Sequence, residues 1–385
     1  MTEIDEEAEM LSEKVITTLG NSDYRLKSFE KYSLIDKPKW KRVGHQVEEP
    51  AEFKPFNNIS LQNEVQEGLI VKNIDESLTE IARLSNDNND YGLGDYFSNQ
   101  INTFYNEGKY VKVLTKKEIK DPLYISYTTN SENNVLIDYN LIEVEEFGKA
   151  TIIITYNSED EAKAYHNGVI KVMARANSEV KIIKVQTLNL ESENYESSKI
   201  EVLGGGKVSM YTVELGAKVN GVSHKTYLEE DNASASIWPA YLADKDRKVD
   251  LEYSVVFRGR RGNGEIQGRG AVKGTSKKVF RGNLYFKRGS SKSEGNEGEF
   301  AILLDKTVKA DSIPTLFCDE DDVIGAHSAS IGKVDESKLF YLMSRGLTES
   351  RAKKLIVESS FRPILESIND DEIRNKILNE LENRI

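Results

Sequence analysis

Residues 322–346 read DVIGAHSASIGKVDESKLFYLMSRG, with one histidine, His327, among Gly325, Ala326, Ser328, Ala329 and Ser330. An imidazole in such a place can be a general base, a metal ligand or a buried hydrogen-bonding group. Its small neighbours would let another backbone or a ligand approach closely. Just before it, CDEDD (318–322) gathers four carboxylates behind the only cysteine, Cys318. Carboxylates suit hard cations, but the EF-hand spacing and its glycine are missing, so a solvated charged turn is expected. A lone cysteine in strand-rich sequence reads as a small buried hydrophobe, with nucleophile or thiolate ligand as the alternatives.

Other stretches offer chemistry and fall short of it. Gly204–Gly206 followed by Lys207 resembles a phosphate loop, yet Glu201 and Val208 stand where that loop needs glycine and Ser or Thr. It reads as a turn. RGRRGNGEIQGRGAVKG (258–274) is basic and glycine-rich. It lacks the interleaved aromatics of a single-strand binder and reads as turns between strands. Of the remaining histidines, His166 and His224 read as strand-edge or turn residues, and His45 lies in irregular sequence. No HExxH helix, G-x-S-x-G elbow or cysteine-spaced zinc site is present. A catalytic β-protein using carboxylates of CDEDD or of DKD (244–246) stays open as a second class of function.

The whole chain narrows the field. It has 385 residues, 38% hydrophobic and 30% charged, with a net charge of −12. So acidic a chain is a poor general binder of nucleic acid or anionic membrane. It has no apolar run of transmembrane length, and MTEIDEEAEMLSEKV has no apolar signal core, so a cytoplasmic protein is expected. One cysteine excludes an intrachain disulfide.

Elements must position these residues. Met10, Leu11, Val15 and Leu19 keep helical spacing, and a second helical pattern covers Tyr24 to Tyr32. LIVKNI, YVKVLT and LYISY read as short strands, and the segment from Ser77 to Gly108 as one or two helices around an Asn/Asp/Gly loop. From about 133 to 332, short Val-, Ile- and Tyr-rich runs follow one another between Gly, Asn, Ser and Asp, with at most a helical turn in YNSEDEAKAYHNG (156–168). Such a region builds a sandwich, a barrel or a β-solenoid; the solenoid is favoured although no strict repeat is visible. After 333 the texture is helical. Asp335 and Thr348 are candidate N-caps and Gly346 a C-terminal cap. Pro363 is expected near the first turn of a short third segment, and Asn369 with Glu372 resembles a capping box.

Residues 298–361, GEFAILLDKTVKADSIPTLFCDEDDVIGAHSASIGKVDESKLFYLMSRGLTESRAKKLIVESSF, resemble the SufB/SufD family of iron–sulfur cluster assembly proteins. The likeness lies in the order Pro-x-Leu, Asp-Val, His among small residues, then Phe-Tyr-x-x-Ser-Arg-Gly. It continues more weakly upstream and into PKWKRV (38–43). The resemblance implies a right-handed parallel β-helix core, mainly β, with a helical or mixed N-terminal domain (1–130), the core at 131–332 and a helical C-terminal domain (333–385). It implies a non-catalytic subunit of a SufBCD-type complex, pairing with SufB through the β-helix. Its C-terminal helix residues Lys338, Leu339, Phe340, Tyr341, Ser344, Arg345 and Gly346 would dock the SufC ATPase. His327 matches a family histidine tied to cluster assembly, hence an iron or cluster ligand, with a transient iron–sulfur cluster at the interface. FAD in the complex is permitted by the same resemblance. Where some members carry a cysteine two residues before that histidine, this chain has Gly325, and Cys318 does not match it. A short chain with one cysteine fits SufD better. A SufB-type scaffold working with SufC alone is the alternative, and the isolated chain is expected to pair with itself through its sheet edge.

Overall fold

The computed structural model describes residues 23–50, 52–84 and 91–385. The helical pattern at Met10–Leu19 lies outside the described residues. Helix α1 (Asp23–Tyr32) is followed by a small hairpin of β1 (Lys39–Trp40) and β2 (His45–Gln46). Then come β3 (Ile59–Gln62), β4 (Leu69–Asn73), α2 (Leu78–Leu84) and α3 (Asp95–Phe104).

Sixteen strands follow, and they build the body. They are β5 (Lys109–Val113), β6 (Leu123–Thr129), β7 (Val135–Val144), β8 (Lys149–Ser158), β9 (Tyr165–Ala174), β10 (Glu179–Thr187), β11 (Glu193–Val202) and β12 (Lys207–Glu214). They continue as β13 (Val219–Leu228), β14 (Ser234–Ala243), β15 (Lys248–Phe257), β16 (Asn263–Val272), β17 (Lys277–Phe286), β18 (Ser293–Leu303), β19 (Lys309–Cys318) and β20 (Val323–Lys333). Even strands from β6 to β20 lie side by side in one parallel sheet and odd strands from β5 to β19 in the other. The chain therefore winds as a β-helix, each coil giving one strand to each sheet. Antiparallel β3 and β4 close the first end.

The coil length explains why no repeat is visible. Lys149 stands beside Glu179, Glu179 beside Lys207, Lys207 beside Ser234 and Ser234 beside Asn263, steps of 30, 28, 27 and 29 residues. Turns absorb the difference, while the two-residue period of each strand keeps the inward set aligned. One inward column runs Leu123, Ile152, Ile182, Met210, Ile237, Ile266. All six are buried, and each contributes roughly 1.5–3 kcal/mol as a buried aliphatic side chain.

Both outer faces are covered where helices lie. Helices α4 (Glu336–Ser344), α5 (Glu349–Leu365) and α6 (Asp371–Arg384) follow the solenoid. Val357, Phe361, Ile364 and Leu365 of α5 and Ile377 and Leu381 of α6 join a cluster with Ala240, Leu242, Ala271 and Ile302 of the even sheet. On the odd sheet, Phe97 and Phe104 of α3 pack with Tyr139, Tyr165 and Tyr195. Trp40 fills the space left by Gly221, whose side-chain carbon would stand 2.0 Å from the indole. That contact is what the PKWKRV segment does locally.

Several local expectations are corrected. Pro363 lies inside α5 and starts no new helix; the helix runs unbroken to Leu365. The cap of α6 is Asp370, whose carboxylate accepts from the Ile373 amide at 2.9 Å, and not Asn369. YNSEDEAKAYHNG contains the end of β8, a bend and the start of β9, with no helical turn. The glycine-rich 258–274 stretch is only partly turn, since most of it is β16. There Gly264, Gly268 and Gly270 face inward, and side-chain carbons on them would stand 2.5, 2.9 and 2.0 Å from the rings of Phe257, Phe280 and Tyr241. These glycines make room for aromatic rings inside the coil.

Candidate functional site

Among the described residues, β19 and β20 are paired on one side only, so the last coil ends the solenoid as an open edge. Its residues are largely exposed, including Phe317 and Ile324. His327 lies in the middle of β20 and is exposed. It stands directly beside Glu297 of β18, which stands beside Ile266. The aliphatic column of the interior thus changes at its last two positions into a carboxylate and an imidazole.

Glu297 is 1% exposed, and neither of its carboxylate oxygens has a hydrogen-bond partner among the described residues. Burial, reinforced by the neighbouring Glu299, pushes its carboxyl up to about 8. Its Oε1 occupies the space opposite Gly282, where a side-chain carbon would stand 2.2 Å away. Glu299, two residues on and on the same face, is held differently. Its Oε1 accepts from the Tyr241 hydroxyl and from the Lys278 ammonium, which also donates to the Asp311 carbonyl at 3.0 Å. Gly270 admits the Tyr241 ring to that bond. Two carboxylates side by side are therefore unequal: Glu299 is paired through its Oε1 alone, while neither oxygen of Glu297 has a partner among the described residues.

Cys318 ends β19 and is exposed, which corrects the buried reading. Among the described residues no further coil covers this edge strand. The carboxylates after it are a charged turn as expected: Asp319 reaches Lys287 at 3.1 Å and Glu320 accepts from the Gly289 amide at 2.9 Å.

The helical residues singled out by resemblance lie together on α4 and its cap. Asp335 accepts from the Ser337 and Lys338 amides, and Gly346 ends the helix with φ +94°. Leu339 packs partly into the cluster shared with the solenoid. Phe340 is 75% exposed and Tyr341 56% exposed. The Ser344 hydroxyl donates to the Tyr341 carbonyl at 2.7 Å, and the Arg345 guanidinium lies 5.2 Å from the Tyr341 ring centre. Ser337, Lys338, Tyr341, Leu342, Leu355, Ile356 and Ser359 line a shallow groove of about 460 Å³ between α4 and α5. His327 and this helix belong to consecutive elements, since α4 begins three residues after β20 ends.

The other histidines are not surface residues. His166 and His224 point into the coil and are wholly buried, because the alternation of β9 and β13 sends them inward. Asn194 donates its amide to Asn220 at 2.7 Å, which leaves its oxygen to accept from His166 Nδ1. Asp138 accepts from His166 Nε2 at 2.6 Å and from the Tyr156 hydroxyl at 2.9 Å. Both ring nitrogens therefore donate. Burial opposes the charge, but Asp138 outweighs it and raises the pKa of His166. Asn220 continues to Glu214, and Lys184 sits between Glu214 and Glu196. His224 instead meets the hydroxyls of Ser198 and Thr226, both at 2.7 Å, and burial lowers it to about 3. His45 contacts the Tyr195 hydroxyl at 2.8 Å.

Among the described residues no group of three or more His, Cys, Asp and Glu side chains stands close enough to hold a metal ion. No described helix is long and apolar enough to cross a membrane. A groove of about 670 Å³ lies beside the N-terminal segment, lined by Glu48, Glu49, Glu52, Glu132 and Glu193 with Lys54 and Lys163. A flavin dinucleotide's pyrophosphate would meet carboxylates there, so these residues do not fit FAD.

A sequence reading singles out His327 and the α4 residues as candidates but not Glu297, Glu299, Lys278 or Tyr241. The available signal was the alternation in SEGNEGEF (293–300), which puts two glutamates on one face of a strand.

A two-sheet parallel β-helix with helical flanks and an open last coil defines the class. Residues 127–360 match the family described as "SUF system FeS cluster assembly, SufBD core domain", which is more than half of the chain, and the chain belongs to that family. It is 23% identical over 282 residues to the iron–sulfur cluster assembly protein SufD of Bacillus subtilis, a match covering 73% of this chain and 64% of that protein. It is 23% identical over 326 residues to a SufBD family protein of Staphylococcus epidermidis, covering 80% of this chain and 68% of the relative. A SufBD family protein of Mycobacterium bovis matches over 208 residues, 54% of this chain and 25% of its own length. Identities of 23% define the family and not the branch within it.

Proposed function

We propose that this chain is a non-catalytic subunit of a SUF-type assembly complex that handles iron and sulfide as cargo. It takes the SufD-like role: its open last coil meets the β-helix of a SufB-type sister subunit, and His327 faces the cargo at that junction. The exposed face of α4, above all Phe340 and Tyr341, docks a SufC-type ATPase, whose nucleotide-driven motion would reach the junction through the short link to β20. The observation that carries this reading is the open edge of β19 and β20 with an exposed histidine at its centre. An unpaired edge is a ready surface for another chain. An imidazole is a suitable iron ligand once it has a partner's donors beside it.

The test is co-expression with SufC-type and SufB-type partners from the same source, followed by the mass of what purifies with this chain. A complex holding both partners supports the reading. In that complex His327→Ala should abolish cluster formation on anaerobic reconstitution while leaving the complex whole, and Phe340→Ala with Tyr341→Ala should weaken ATPase docking at least tenfold, the size expected of an aromatic interface anchor. A complex with the ATPase alone would point to a SufB-type scaffold instead, and a chain that ignores both partners would overturn the reading.

A further inference from the structure

The interior column in which His327 stands is aliphatic for six consecutive coils, from Leu123 to Ile266. Only its last two positions, Glu297 and His327, carry a carboxylate or an imidazole. Neighbouring parallel strands stand about 4.8 Å apart, and side chains in register project from the same face. A glutamate and a histidine so placed can reach one ion between them.

Glu297 has no structural reason to be a carboxylate. Buried polar groups in folded proteins are almost always hydrogen-bonded, and each exception asks for a role such as an absent ion. Glu299 shows what a structural glutamate looks like in this coil, since Lys278 and Tyr241 both bond to it. Glu297 has neither, although Gly282 leaves space for its carboxylate. Glutamine would fill the same volume without the cost of an unpaired buried acid.

We propose that Glu297 and His327 form a two-donor site, one carboxylate oxygen and one imidazole nitrogen, for a divalent transition-metal ion at the open end of the β-helix. This deepens the functional reading above and rests on its assignment of His327 to cargo. The mixed donor set favours ferrous iron and its neighbours over magnesium or calcium, which prefer oxygen alone. Two protein donors leave coordination positions free for a ligand brought across the open edge. The site is therefore a weak acceptor in the isolated chain, made to pass its ion on.

The experiment is anaerobic titration of the full chain with ferrous iron alone, in the presence of excess magnesium, for wild type, Glu297→Gln, Glu299→Gln and His327→Ala. Wild type should bind one ion with a submillimolar Kd. Glu297→Gln and His327→Ala should each weaken binding at least tenfold. Glu297→Gln should unfold at the same temperature as wild type or higher, which a purely structural glutamate would not allow. Glu299→Gln, by contrast, should lose stability and keep the ion-binding change small. Undiminished binding by Glu297→Gln, or no binding by wild type below 1 mM, overturns the site. If His327→Ala still abolishes cluster formation in the complex in that case, the functional reading stands while the two-donor site falls. If His327 proves dispensable there and yet both variants lose iron, the site stands and the functional reading falls.

Discussion

Replacing His224 with glutamine tests the electrostatics of the solenoid interior. The imidazole is wholly buried between the hydroxyls of Ser198 and Thr226, its ring 5.8 Å from that of Tyr253, with Lys184 the charged group that bears on it. Burial first, and Lys184 second, lower its pKa from 6.5 to about 3. The folded chain thus refuses a proton that the unfolded chain takes up near pH 6.5. Its contribution to stability is therefore complete above pH 6.5 and falls as the pH drops toward the folded value. The loss is about 1.4 kcal/mol per pH unit, so about 2 kcal/mol between pH 7.5 and pH 5. This figure needs the folded value only to lie below 5. Glutamine can still bond to both hydroxyls and takes up no proton. Urea unfolding of the full chain at pH 7.5, 6.5 and 5.0, followed by the fluorescence of Trp40 and Trp238, measures the difference. Wild type should lose about 2 kcal/mol more than His224→Gln over that range. His166 and the carboxylates titrate in both proteins and cancel. Equal losses in the two would refute the claim that the coil holds His224 neutral.

Three further outcomes follow from the same structure. Glu143 bonds to Arg83, Arg175 and Tyr110; burial opposes its ionisation, but these bonds outweigh it and hold its carboxyl at about 2. Its contribution is present above the ordinary carboxylate range near 4.5 and lost as the pH falls toward 2, so Glu143→Gln should cost about 2 kcal/mol at pH 7 and less at pH 3 in denaturant titrations. Gly270→Ala places a carbon 2.0 Å from the Tyr241 ring and should destabilise the chain by about 1–3 kcal/mol; Tyr241→Leu in the same chain should recover part of that loss by thermal unfolding. Cys318 should react with a thiol reagent in the native isolated chain, and docking of a partner on the open edge should slow the reaction at least tenfold.

Much of the local structure was legible from the sequence because its causes are local. The bonds from Asp335 to the Ser337 and Lys338 amides, from Thr348 to the Arg351 amide, and the positive φ of Gly346 each depend on a few adjacent residues. The strand texture between β7 and β20 was equally readable, since β-branched and aromatic runs between turn residues need no partner to be recognised. The misreadings share one cause. The sequence neighbours of His166, His224 and Cys318 do not reveal their burial, which depends on which coil lies above them. Cys318 is exposed because no described strand follows β19 in its sheet, and His224 is buried because β11 and β15 flank it.

By itself, then, the sequence determined the element types, the helix caps, the acidic character and the family-like order of residues around His327. The tertiary structure alone decided that Ile266, Glu297 and His327 form one column, that Glu299 is paired while Glu297 is not, and that the column ends at an open edge. The reason is physical. Coils of unequal length meet through backbone hydrogen bonds, so the register that joins residues about thirty positions apart is set by packing between strands and leaves no fixed spacing in the chain.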